Sequence, residues 1–286
     1  MAQADQPVTH PRAPGSLRNA FWIDFDEARR HVNTLVGLAD EDPDDRPTCV
    51  VLVGQSGMGK TSILKEVQRR IEIAYPEPSD WGEARYIPML RAVVPSHPTS
   101  LRINLALLWK QGWPLTKRTH QIADLKVAEL LGKQATRLVA VDNVHAVLTT
   151  SGRARRDALD SFRFLMSEGN VHMVVAGLDI AADIFSDDVE LAYRSIILRL
   201  TPWPPGEPSQ QLIRALARGI GLIDPDRFAE PEIAEFIWQH SHGVTGNFKR
   251  LLRWSYRVAK DIHGRRRVEV SDVYEAAKLF PSYIDR

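Results

Sequence analysis

Residues 54–61 read GQSGMGKT and match the spacing G-x-x-x-x-G-K-[ST] at every fixed position. Glycines at these places let the backbone turn tightly, so that consecutive N–H groups and the positive end of a following helix surround an anionic phosphate. Gly54, Gln55, Ser56, Gly57, Met58 and Gly59 would form that cradle, and Lys60, Thr61 and Ser62 would complete the nucleotide-binding set. Lys60 would neutralise the β- and γ-phosphates, and the Thr61 hydroxyl would ligate Mg²⁺. The ligand this spacing points to is ATP with Mg²⁺. No guanine-selective N-K-x-D sequence occurs, which disfavours GTP. A Gly-rich turn with an incidental lysine is the bland alternative, and the apolar run before it and the amphipathic run after it count against that.

A second candidate lies about 80 residues further on, where VAVDNVHAV (139–147) runs small apolar residues into one carboxylate, Asp142, and then an amide, Asn143. By itself an Asp after a buried strand is often only a helix cap. Behind a matched phosphate loop, in a parallel sheet, it is the carboxylate that holds magnesium through its water shell.

These residues need elements to hold them. TCVVLVG reads as a buried strand and SILKEVQRRIEIA as a helix with Ile63, Val67 and Ile71 on one face. Further apolar runs recur at RYIPMLRAVV, RLVAVDNV and VHMVVAGL, with helical patterns between them. That alternation implies an α/β fold, a mostly parallel sheet between helical layers. TPWPPGEPS shifts the composition to Pro and Gly, and all that follows is helical. The expected organisation is a leader and helical extension over 1–45, an α/β nucleotide-binding core over 46–203 and a small helical lid over 204–286. With 286 residues, 44% of them hydrophobic, the chain can bury a full core. The single Cys49 sits in an apolar run, and no stretch is apolar enough for a membrane span, so a cytoplasmic, reducing setting without membrane contact is expected.

Several segments together resemble the AAA+ ATPases of the TniB/TnsC kind, regulators of transposition. They are GQSGMGKTSIL, VDNVHAVL with the basic helix RARRDALDSFRFLM, VHMVVAGLD, DVELAYRSIILRLTPW, and GVTGNFKRLLRWSYRVAKDI. The resemblance implies the AAA+ P-loop three-layer core with a helical lid, Lys60 and Thr61 as phosphate and magnesium contacts, and Asp142 as the second metal-shell residue. Arg194 then looks like the arginine finger that one subunit inserts into its neighbour's nucleotide, making the site incomplete without a partner. A surface arginine flanking a strand is the plainer reading of the same residue. Lys249 resembles the second sensor on the lid, with Arg250 as the adjacent alternative.

The chain departs from the family's pattern at Asn143, where the family has Glu. An amide cannot take the proton of the attacking water, and general base catalysis is worth about 10²- to 10⁴-fold, or about 3 to 5 kcal/mol of barrier. Binding should survive and hydrolysis should be slow. Leu178 also stands where the family usually has a polar residue orienting that water, and Asp179 is one residue beyond.

A formal charge of +1 provides no overall field for a polyanion, so any nucleic-acid affinity must be local. The candidate patches are Lys117 and Arg118; Arg153, Arg155 and Arg156 with Arg163; and Arg265 to Arg267. Such clusters are usually solvated faces. The resemblance, which implies oligomers that wrap duplex DNA without reading bases, raises Lys117 and Arg118 most. Trp109 and Trp113, four apart, read as lid or core aromatics rather than base-stacking platforms. His240 and His242 fit no zinc spacing, and no H-E-x-x-H or G-x-S-x-G occurs.

The function these readings imply is an ATP-dependent transposition regulator. It would bind Mg-ATP between subunits, form a homo-oligomeric ring or filament on duplex DNA, and present the target to a DDE transposase, with a target-selector protein as further partner. Two alternatives are a motor or loader ATPase that hydrolyses vigorously, and a nucleotide-sensing scaffold that never touches DNA.

Overall fold

The computed structural model describes residues 21–43, 46–82 and 84–279. The expected leader, residues 1–20, lies outside them. Five strands, β1 (Cys49–Val53), β2 (Met89–Val93), β3 (Leu138–Asp142), β4 (His172–Gly177) and β5 (Ser195–Arg199), form one sheet in the order β2-β3-β4-β1-β5. Every pairing is parallel. β1, β3 and β4 are buried at every position, as their largely apolar runs require of strands covered on both faces. The two edge strands are less covered: β2 leaves Val93 exposed, and β5 is more open still, with Ile196 and Ile197 exposed at 49% and 38%.

The covering helices are amphipathic. α1 (Asp26–Asp40) buries Val32, Leu35 and Leu38, and α2 (Lys60–Ala74) buries Ile63, Leu64, Val67 and Ile71 at turn spacing. The two touch through Arg70 Nη1, which donates to Asn33 Oδ1 at 3.0 Å. α3 (Ser100–Gln111) is capped by the Thr99 hydroxyl and stopped by Gly112 in the left-handed conformation. A four-residue turn, α4 (Lys117–His120), and α5 (Ala123–Lys133) lead into β3. Beyond it come a 3₁₀ turn (Val144–Thr149) and α6 (Gly152–Glu168), then α7 (Ile180–Asp187) and the short α8 (Val189–Ala192). One core joins the sheet to α3, α5, α6, α7 and α8, with Phe162 and Phe185 fully buried in it.

Residues 201–279 are helical, with α9 (Glu207–Ile220), α10 (Pro231–Ser241), α11 (Thr245–Arg257) and α12 (Val270–Leu279) around a second core containing Leu212, Ile213, Phe228 and Phe248. The chain divides into two compact units. Asp26–Gly54 with Lys60–Leu200 makes the sheet unit; residues 21–25, 55–59 and 201–279 group as the other. No helix among the described residues is long and apolar enough to cross a membrane.

Candidate functional site

Strand register decides which residues share an edge. Val53 pairs with Gly177 and with Arg199, and Asp142 pairs with Ala176 and with Val93. Gly54, Asp142 and the Leu178–Asp179 pair therefore leave the sheet at the same carboxyl end, where ligands bind in open α/β sheets. Gly54 is held close to β5's continuation: Leu200 N donates to Val53 O at 2.8 Å, and a Cβ on Gly54 would stand 3.0 Å from both Leu200 Cβ and its carbonyl oxygen. In the helical unit, the Gly57 carbonyl accepts from Gly246 N at 2.8 Å, and Gly57 has φ +83°, which favours glycine. The residues 55–59 span that turn, with Met58 N donating to Gln55 O at 3.3 Å; Met58 is buried while Gln55 and Ser56 are exposed.

α2 begins at Lys60, so the lysine and threonine stand on its first turn beside exposed Ser62. Lys60 Nζ donates to Gly54 O at 2.6 Å. Thr61 Oγ1 donates to Asp142 Oδ2 at 2.6 Å. The other oxygen, Asp142 Oδ1, accepts from Asn143 N at 2.9 Å, so this 3%-exposed carboxylate is held at both ends. Burial pulls the Lys60 ammonium below the usual lysine range, and the charges of Asp142 and Asp179 oppose that pull. His145, in the turn after Asn143, has its pKa lowered by burial and by Lys60, with Asp142 acting the other way, which keeps its ring neutral at pH 7. His145 stands in the VDNVHAVL segment, and its electrostatic link to Lys60 follows from the fold rather than from the sequence.

Asn143 is exposed and left-handed, at φ +63° and ψ +33°. Asp179 caps no helix N–H through its side chain and stands 3.5 Å from Arg199 Nη1. Arg194 is half-buried immediately before β5, its carbonyl accepting from Cys49 N at 2.8 Å. Lys249, in the helical unit, lies 4.5 Å from the centre of the Phe21 ring.

The basic residues fall apart into different situations. Lys117 and Arg118 are exposed on α4. Arg153 and Arg156 are exposed near the start of α6, whose cap is Ser151, while Arg155 is half-buried and donates to Leu148 O at 3.4 Å. Arg163 does not extend this patch. It donates to both oxygens of Asp188, at 2.7 and 2.8 Å, and also pairs with Asp160 and Glu190, which neutralise it. Arg265 pairs with Asp272 and Glu269, and Arg267 with Asp224, so two of the three cations in that run already have carboxylate partners. The tryptophans also separate. Because Gly112 ends α3, Trp109 stands on the helix at 69% exposure, whereas Trp113 is tucked against the sheet unit's core under Lys126 Nζ, 4.0 Å from its ring centre. The expectation that both are lid or core aromatics therefore fails for Trp109, and neither lies in the helical unit.

A parallel sheet in this strand order with flanking helices, a glycine-rich loop after β1 and a helical region behind it define an AAA+ P-loop fold. The chain belongs to the family of the bacterial TniB protein, which it matches over residues 15–205. In structure it is similar to the ORC2 protein of Aeropyrum pernix in ADPNP and ADP complexes, at TM-score 0.64 and 16% identity over 88% of this chain and 65% of that one. It is likewise similar to the Aeropyrum pernix ORC1 protein in complex with DNA, at TM-score 0.64 and 20% identity over 88% and 64%. A Walker-type ATPase of Pyrococcus abyssi aligns at TM-score 0.55 and 14% identity over 90% and 71%. At these identities the likeness is one of fold alone, carried by the TM-scores, and the chain spans 65% and 64% of the length of the two Aeropyrum proteins. No curated protein matches it significantly.

Proposed function

We propose that this chain is a nucleotide-gated regulator of transposition. It holds Mg-ATP at residues 54–62, assembles on duplex DNA through phosphate contacts, and presents that DNA to a DDE transposase. Membership of the TniB family supports the regulatory role. The observation that carries the nucleotide reading is the pair of donors at the start of α2. The Lys60 ammonium and the Thr61 hydroxyl are each satisfied inside the chain, by Gly54 O and Asp142 Oδ2 at 2.6 Å, in positions where phosphate oxygens and a hard cation would replace those partners. The donor set fits the ligand: main-chain N–H groups and one ammonium for phosphates, a hydroxyl and a carboxylate for Mg²⁺.

When bound, Mg-ATP supplies a phosphoryl group open to attack by water. The chain's residues do the rest. Lys60 binds phosphate, Thr61 and Asp142 hold the metal, and Asn143 can hydrogen-bond a water without accepting its proton. Arg194 from a neighbouring copy would complete the charge stabilisation, and Lys249 is the candidate second sensor. Two structures in which an Aeropyrum ORC protein holds nucleotide or DNA lend this reading their fold-level support. A target-selector protein is a further partner in this scheme.

Isothermal calorimetry with Mg-ATP tests the core claim. Lys60→Ala is expected to lose at least 100-fold in affinity while keeping its circular dichroism spectrum. Undiminished affinity in that folded variant would overturn the reading. Steady-state hydrolysis with saturating duplex separates a slow switch from a motor, for which turnover well above 1 s⁻¹ is typical.

A further inference from the structure

α11, TGNFKRLLRWSYR, carries four cations and no carboxylate. Phe248, Leu251, Leu252 and Ser255 are buried, which turns one face of the helix into the core of the helical unit. Arg250, Arg253 and Arg257 follow at steps of three and four, so they lie one above another. At 1.5 Å per residue they span about 10 Å of helix, roughly one cation per turn. With Gly246, Lys249 and Trp254 they line an open concavity of about 490 Å³. The Arg257 guanidinium sits 4.4 Å from the centre of the Trp254 ring. Stacking occupies a face of the guanidinium and leaves its in-plane N–H donors for an anion.

We infer that this face of α11 is a second contact for the phosphate backbone of duplex DNA, with Arg253 and Arg257 as its phosphate-holding side chains. The inference rests on the proposed function in taking DNA as the partner. The chemistry of the face selects this occupant. Arginine rows also take acidic peptides, which the test below separates; the even spacing of these cations along one helix face favours the regular charges of a phosphate backbone. Single-strand binding adds open aromatic platforms for the bases, and Trp254, the aromatic lining this concavity among the described residues, lies against Arg257. What remains is a row of cations at regular spacing, suited to phosphates and indifferent to sequence. With a net charge of only +1, the chain must concentrate its polyanion affinity in such rows.

The test is fluorescence anisotropy of a labelled mixed-sequence duplex at saturating ATP across a salt series, comparing wild type with R253Q/R257Q. Each lost phosphate contact lowers the slope of log affinity against log salt by about 0.9, so the double variant is expected to flatten it by up to about 2 and to bind about 10- to 100-fold more weakly at low salt. Calorimetric ATP affinity should not change, because neither residue belongs to the proposed nucleotide site. Unchanged affinity and slope in R253Q/R257Q, with wild-type binding intact, overturns this inference and leaves the proposed function standing. If the wild type itself fails to bind duplex, both DNA readings fall together. A labelled polyglutamate peptide that binds wild type more tightly than the duplex does, and is lost in the variant, assigns the face to a protein partner and also overturns it.

Discussion

Asn143 answers to two constraints. Its backbone is left-handed, a conformation that costs most L-residues about 1–2 kcal/mol and that asparagine tolerates better than glutamate. The same amide forfeits proton transfer. Asn143→Glu is therefore expected to raise ATP turnover, by up to the 10²- to 10⁴-fold typical of a general base, while lowering the thermal midpoint by roughly 3 °C for about 1 kcal/mol. Asn143→Gly should match or exceed the wild-type midpoint with no gain in turnover. Paired turnover and melting measurements check both, and a faster Gly variant would refute the base argument. His172 supplies a pH dependence. It is 2% exposed, its Nδ1 accepts from Thr48 N at 3.0 Å, and burial holds its pKa below 6.5 against the opposing influence of Glu41. Below pH 6.5 the unfolded chain takes up the proton before the folded chain does. Stability is thus expected to fall as pH drops through and below that value, down to the folded pKa. His172→Gln should flatten that limb in urea titrations at pH 7.5 and 5.5.

Among the elements, the turn into α11 is set by a glycine. Gly243 has φ +71°, and an added Cβ would stand 2.5 Å from the Trp203 carbonyl oxygen. Trp203 N also donates to Gly243 O at 2.9 Å, and the Trp203 carbonyl receives Trp238 Nε1 at 2.8 Å. Gly243→Ala combines overpacking with an unfavourable backbone, for an expected cost of about 2–4 kcal/mol. Urea unfolding followed by tryptophan fluorescence would reveal it, and a loss under 1 kcal/mol would show that the turn relaxes. Sheet and helices were largely legible, because β1, β3 and β4 each carry a run of at least four apolar residues and α2 repeats its apolar residues every turn. β5 was not legible as an edge. The Ile-Ile-Leu centre of SIILR reads as core, yet β5 leaves Ile196 and Ile197 exposed, with Val189 and Tyr193 just before it at 70% and 90%.

For the whole molecule, the decisive question is assembly. Arg194 and the exposed apolar residues around it sit at that open edge of the sheet, which under the proposed function faces a second copy. Arg194→Ala is expected to keep Mg-ATP affinity within about threefold while losing ATP-dependent growth in sedimentation velocity with duplex. Assembly at wild-type levels would remove the finger from the scheme. By itself the sequence determined the phosphate loop, the helix behind it, the alternating α/β order and the helical C-terminal region, because each depends on residue types within a few turns of one another. Only the tertiary structure decided that Asp142 meets the Thr61 hydroxyl, a contact between residues 81 apart in the chain. It also decided that Arg163, Arg265 and Arg267 have carboxylate partners, and that β5 is left open. Strand order and register bring such distant residues together, and local periodicity carries no record of either.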